Sequence, residues 1–251
     1  MSSTLCLLED LEISYCRSLM SLSSKGHKSI CNQLQLLEIN QCLKLSCLFS
    51  NTEFPITLKH LRIGGCPALE YIAQDFEETA CLESIEIMFS GIKSLPRGLD
   101  KLIDLQEISL DSCSNLVSFE ESGLPTTSFI AFNVDGCGKS LVEWGLNRLT
   151  SLQELTIGGG GCSNVVSFPE EGIGMMLPPS LTFISLSEFE NLEFMFSEGF
   201  QDLASLKELV IDNCPKLTTL PEKDMLLSLR YLRISSCPLL KEECSSDKGG
   251  E

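Results

Sequence analysis

One phrase of nine residues, Leu8-Glu9-Asp10-Leu11-Glu12-Ile13-Ser14-Tyr15-Cys16, returns in altered form about every two dozen residues along this chain. Written as L-x-x-L-x-I/L-x-x-C, it begins again at Leu34, Leu58, Leu82, Leu105, Phe129, Leu152, Leu181, Leu206 and Leu229. A unit this short cannot bury its apolar side chains alone, so successive units must stack and share one continuous core. The second and third apolar positions, such as Leu61 with Ile63 or Leu209 with Ile211, are separated by one residue. That is the period of a strand whose alternate side chains point inward. One short strand per unit then stacks in parallel, and a bulkier return segment behind it bends the stack.

The pattern predicts an α/β fold: a leucine-rich-repeat solenoid, or horseshoe, with a curved parallel sheet and a convex side of loops and short helical turns. About ten repeats form a single domain over 1–244, and 245–251 is a polar tail. Proline in the return segments, as in Leu95-Pro96-Arg97-Gly98-Leu99 and Leu177-Pro178-Pro179-Ser180-Leu181, blocks extension of a strand or helix there. Gly199–Leu206 is the best helical candidate, with Phe200, Leu203 and Leu206 facing the core. The step from Leu152 to Leu181 is the longest, at 29 residues, and the run Gly158-Gly159-Gly160-Gly161 reads as a bulge at a strand end that helps lengthen it.

Thirteen cysteines invite a disulfide reading, yet most follow the repeat. Cys16, Cys42, Cys66, Cys113, Cys137, Cys214 and Cys237 hold the ninth place of their units, and Cys162 is displaced from it by two residues. A column of small buried thiols explains this spacing better than redox chemistry, although strand spacing alone does not forbid a bridge between adjacent turns. No asparagine has Ser or Thr two places on, no apolar run approaches the ~20 residues that span a bilayer, and Met1–Cys6 does not read as an export signal. A cytoplasmic location is expected, with the nucleus or the face of the plasma membrane as alternatives within a larger protein.

Nothing in the sequence argues for catalysis. His27 and His60 stand apart from any pair of cysteines with metal-ligand spacing, and C-x-x-C is absent. The run Asp135-Gly136-Cys137-Gly138-Lys139-Ser140 ends like a phosphate loop, but Asn133 replaces the glycine that such a loop needs five places before Gly138. The chain is expected to be no enzyme and to hold no cofactor or metal.

Binding is the remaining reading. Three positions on each strand face outward: the residue before the second apolar position, the one between the two, and the one after the third. Asp10, Glu12, Glu38, Glu86, Glu107, Asp111, Asp135, Glu154, Glu208 and Asp212 occupy such positions, against only Arg62 and Arg233. Acidic residues are disfavoured in strands, so propensity did not put them there. They either keep an open sheet soluble or meet a basic partner, with Phe183 and Tyr231 as aromatic anchors. The expected protein-binding set is Glu86, Glu107, Asp111, Asp135, Glu154, Phe183, Glu208, Asp212, Tyr231 and Arg233. A net charge of −17 argues against nucleic acid or an anionic membrane.

The units Leu206–Pro221 and Leu229–Leu240, with their I-x-x-C-P-x-L and L-P punctuation, resemble the C-terminal repeats of plant nucleotide-binding leucine-rich-repeat immune receptors, most closely their coiled-coil class. Ser167-Phe168-Pro169-Glu170-Glu171-Gly172 and the ending Cys237–Cys244 are similar to phrases of that class. The resemblance implies a domain that senses pathogen effectors, directly or through a guarded host protein, and restrains the receptor's nucleotide-binding module. This chain carries no such module, so the ADP or ATP of the family is expected elsewhere and the chain reads as a fragment. An alternative is the substrate-receptor repeat arm of a ubiquitin ligase. Such arms carry an F-box ahead of the repeats, which the residues before Leu8 do not supply.

Overall fold

The computed structural model describes residues 7–22, 33–49, 54–73, 75–76, 80–116, 123–136, 146–160, 164–169 and 177–241. They fall into two compact units, Met1–Ile130 and Ala131–Glu251. Cys137, Gly138–Ser140, Cys162, Glu170–Gly172, His27 and the tail, all singled out by the sequence, lie outside the described residues.

In the first unit, β1 (Asp10–Ser14), β2 (Leu36–Asn40), β3 (His60–Gly64), β4 (Ser84–Met88) and β5 (Glu107–Asp111) pair in parallel in chain order. The register is unbroken: Leu11, Leu37, Leu61, Ile85 and Ile108 lie side by side, as do Ile13, Ile39, Ile63, Ile87 and Leu110. In the second unit come β6 (Ala131–Asp135), β7 (Glu154–Gly158), β8 (Ser167–Phe168), β9 (Phe183–Ser187), β10 (Phe194–Met195), β11 (Glu208–Asp212) and β12 (Tyr231–Ser235). Its sheet runs β6-β7-β9-β11-β12, all parallel, while β8 and β10 pair within the return segments. Each main strand starts two residues after the first apolar residue of its unit, as the repeat predicts. This is a leucine-rich-repeat solenoid with one strand per turn and few helical residues.

Burial explains the regularity. Leu37, Leu61, Ile85, Ile108, Leu155, Ile184 and Leu209 are 0% exposed, and each such side chain contributes about 1.5–3 kcal/mol of apolar transfer. A slip of one residue in register would turn a whole strand's apolar set outward.

The corner after every main strand except β7 is set by one backbone device. Tyr15, Gln41, Gly65, Phe89 and Ser112 in the first unit, and Gly136, Glu188, Asn213 and Ser236 in the second, have φ of 49–62°, the left-handed region. In six of these corners the N–H donates to the last carbonyl of the next strand, at 2.8–3.0 Å, as from Tyr15 to Asn40 and from Asn213 to Ser235. Next comes the cysteine column. Cys42, Cys66, Cys113, Cys214 and Cys237 are buried, whereas Cys16 on the first turn is exposed. These six thiols lie 3.2–3.7 Å from the carbonyl two residues before them. Where the column lacks Cys, buried Ser90 donates to the Met88 carbonyl at 3.3 Å in the same way. The packing reading of the cysteines therefore holds, and those among the described residues are free thiols.

Two expectations need correction. Gly199–Leu206 is not a helix: a 3₁₀ turn covers Ser197–Gly199, and Phe200, Leu203 and Leu206 each donate to the carbonyl three residues back at 2.9–3.1 Å. The three side chains are buried as expected, but a turn that advances three residues at a time keeps them on one line without α-helix. The glycine run is not a bulge in β7 either. Glu154–Gly158 pairs residue for residue with Phe183–Ser187, and the Gly159 N–H donates to Ser187 at 2.7 Å. Glycine is needed there for close approach: a Cβ on Gly158 would collide with the Asp135 carboxylate, and one on Gly159 would sit 2.7 Å from the Glu188 carbonyl.

Candidate protein-binding faces

The outward residues of each sheet form columns across neighbouring strands, about 4.8 Å apart at the backbone. In the first unit, Glu86 lies on β4 and Glu107 and Asp111 on β5. Six carboxylates, Asp10, Glu12, Glu38, Glu86, Glu107 and Asp111, share the outward positions of this sheet with a single arginine, Arg62. Arg62 stands in register between Glu38 and Glu86, with its Nε 3.4 Å from the Glu86 carboxylate. Glu86 is thus partly neutralised by the chain itself. Asp111 accepts a hydrogen bond of 2.8 Å from the Ser112 hydroxyl, and Glu107 is exposed.

The second unit gathers more of the predicted set. Glu154, Phe183, Glu208 and Tyr231 are register partners on β7, β9, β11 and β12, so acid and aromatic alternate along one column. Glu154 and Glu208 are exposed, Phe183 is half-buried, and Tyr231 is 49% exposed. Arg233 lies beside Val210 in the next column, and Asp212 beside Ser235 in the third. Asp135, half-buried, fills the space above Gly158, so it serves packing on β7 as much as the surface.

A cation or an apolar chain could use the acid and aromatic column together. A long basic side chain laid over a ring meets a carboxylate on the neighbouring strand. Buried Cys66 and Cys214 offer no competing chemistry: burial pushes the Cys66 thiol up and that of Cys214 up to about 11 from an ordinary 9.0, so both stay protonated at neutral pH. Among the described residues, no group of three His, Cys, Asp or Glu side chains could hold a metal ion. No helix among them is long and apolar enough to cross a membrane.

Sequence reasoning passed over two exposed aromatics, Tyr15 (73%) and Phe89 (60%), both at left-handed corners. A signal existed, since a bulky residue directly before the cysteine column stands outside the apolar pattern.

The fold and its open sheet faces define a leucine-rich-repeat protein. No family model matches the chain. It is 34% identical to the candidate disease resistance protein At3g14460 of Arabidopsis thaliana, over 94% of this chain and 22% of that protein. It is 30% identical to another candidate disease resistance protein of that plant, At4g19050, over 80% of this chain and 15% of the relative. A third relative, the Arabidopsis disease resistance protein RPP2A, is 32% identical over 43% of this chain and 8% of its own length. The chain thus spans less than a quarter of the curated relatives it matches. A solved leucine-rich-repeat protein from Bacteroides ovatus covers 91% of this chain and 77% of its own at 16% identity, with a TM-score of 0.25.

Proposed function

We propose that this chain is the protein-recognition and autoinhibitory repeat domain of an intracellular plant immune receptor, sensing pathogen effectors in defence. Similarity to disease resistance proteins along nearly the whole chain supports the setting. The observation that carries the recognition role is the column Glu154, Phe183, Glu208 and Tyr231, an acidic and aromatic strip on an open sheet. It suits a basic protein surface: an effector, a guarded host protein, or the receptor's own nucleotide-binding module. In this reading, ADP or ATP binds to that module rather than to the repeats, and the receptor works in the cytoplasm.

Charge reversal of Glu107, Asp111 and Glu154 in the full receptor tests the role. Loss of resting inhibition, or of the response to effector, is the expected result in plant tissue. If both persist at normal protein level, the acidic faces serve solubility alone.

A further inference from the structure

The second residue of each unit, just ahead of its strand, forms a column held in step from turn to turn. In the first unit it reads Glu9, Gln35, Lys59, Glu83, Gln106 and Ile130, and from Gln35 onward each N–H donates to the carbonyl of the residue one turn earlier at 2.7–2.9 Å. In the second unit it reads Gln153, Thr182, Lys207 and Arg230, joined by the same bonds at 2.8 Å. The two columns differ in charge. Lys59 Nζ lies 2.8 Å from Glu83, and this hydrogen bond draws the Glu83 carboxyl below its ordinary value and raises the lysine. Lys207 and Arg230 instead stand on adjacent turns with no acid between them. Neither makes a side-chain ion pair or hydrogen bond among the described residues.

Like charges side by side on adjacent turns repel each other, so the fold itself gives no reason for the pair. A cleft of about 610 Å³ opens beside it, lined also by Thr182, Ser205, Ser228 and Leu227. Thr182 and Ser228 spend their hydroxyl protons on the carbonyls of Gln153 and Leu203, at 3.2 Å each. The Ser205 hydroxyl has no partner among the described residues and is left to donate. Leu227, 81% exposed, supplies an apolar wall.

We propose that this cleft binds a phosphorylated side chain of a partner protein. A phosphoryl group carries about −1.5 to −2 charge and three acceptor oxygens, enough for a lysine ammonium, an arginine fork and a hydroxyl at once. A carboxylate brings one charge and two oxygens, against nearly two charges and three oxygens for the phosphoryl group, so two adjacent cations match it less well. The cleft is much larger than a phosphate, so the residue next to the phosphorylated one lies against Leu227. With −17 on the whole chain, long polyanions such as RNA or an anionic bilayer are repelled, while one phosphoryl group on a neutral or basic segment is not.

The test uses the full chain and an immobilised library of phosphoserine peptides with random flanks, beside the same library carrying serine. Preferential retention on the phosphorylated library is expected, falling by about tenfold or more in Lys207→Gln/Arg230→Gln. Both residues are exposed, so the variant should fold. Arg17→Gln/Lys44→Gln, which removes the same charge from exposed sites of the first unit, should keep the preference. No preference for the phosphorylated library overturns the proposal, as does a preference that survives loss of Lys207 and Arg230 or falls equally in the control. Binding to vesicles of anionic lipid or to RNA at comparable affinity also overturns it.

Discussion

The same backbone position carries opposite solutions in the two units. Around residue 59 the column neutralises itself, Lys59 on Glu83, and the return side does likewise with Lys93 on Glu70 and Arg97 on Asp75 at 2.8 Å. Around residue 207 the cations are adjacent and unanswered, and the neighbouring sheet face alternates acids with aromatics. The repeat fixes the backbone and the core of both units equally and leaves the outward columns to vary. Where a column differs without any gain in packing, the difference is best explained by a partner.

The comparison rests first on equal cores, and this is where the largest effects should appear. Leu61→Ala and Leu209→Ala, both at fully buried sites, should each destabilise by about 2–5 kcal/mol in chemical denaturation. A marked inequality would mean that the two units do not share one packing scheme. Gly159→Ala comes next, at about 1–3 kcal/mol, because its Cβ meets backbone rather than a yielding side chain. The thiol column gives a pH signature. Burial lifts Cys214 to about 11 from an ordinary 9.0, so the unfolded chain ionises first. Stability from this group is complete below about pH 9 and is lost as pH rises toward about 11. Cys214→Ala should flatten that part of the pH–stability curve, measured by urea titration. Alkylation at neutral pH should reach exposed Cys16 well before buried Cys42 or Cys113.

The smallest changes in stability should come from the charged columns. Arg97→Gln breaks a pair whose side chains are more than half exposed and should cost about 0–1 kcal/mol. Lys207→Glu, which gives the second unit the arrangement of the first, should leave the melting temperature nearly unchanged or slightly raised. If it destabilises the fold clearly, Lys207 has a structural role and the contrast between the columns loses its meaning.

Much of this was legible in the repeat. The spacing of Leu34, Leu58 and Leu82 located β2, β3 and β4 and told which residues of each face outward, because strand period and stacking leave one solution. The cysteine column was legible for the same reason. The left-handed corners were not: Gln41, Phe89 and Glu188 adopt φ of 49–59° for the sake of a hydrogen bond to the next turn, against their own preference. At Gly199–Leu206 apolar spacing of three was read as helix, although successive tight turns satisfy it equally. The acidic residues of the site were visible one by one. Their placement was hidden, since the self-pairing of Arg62 with Glu86 and the side-by-side setting of Glu154, Phe183, Glu208 and Tyr231 depend on register between distant segments.

The central claim is that the acidic and aromatic strip of the second unit holds a basic protein surface. Its most direct test is the affinity of this chain for the nucleotide-binding module of its own receptor, measured against salt for the natural sequence and for Glu154→Lys/Glu208→Lys. The account predicts binding that weakens steeply with salt and drops about tenfold or more in the variant. Affinity unchanged by both salt and charge reversal would contradict it.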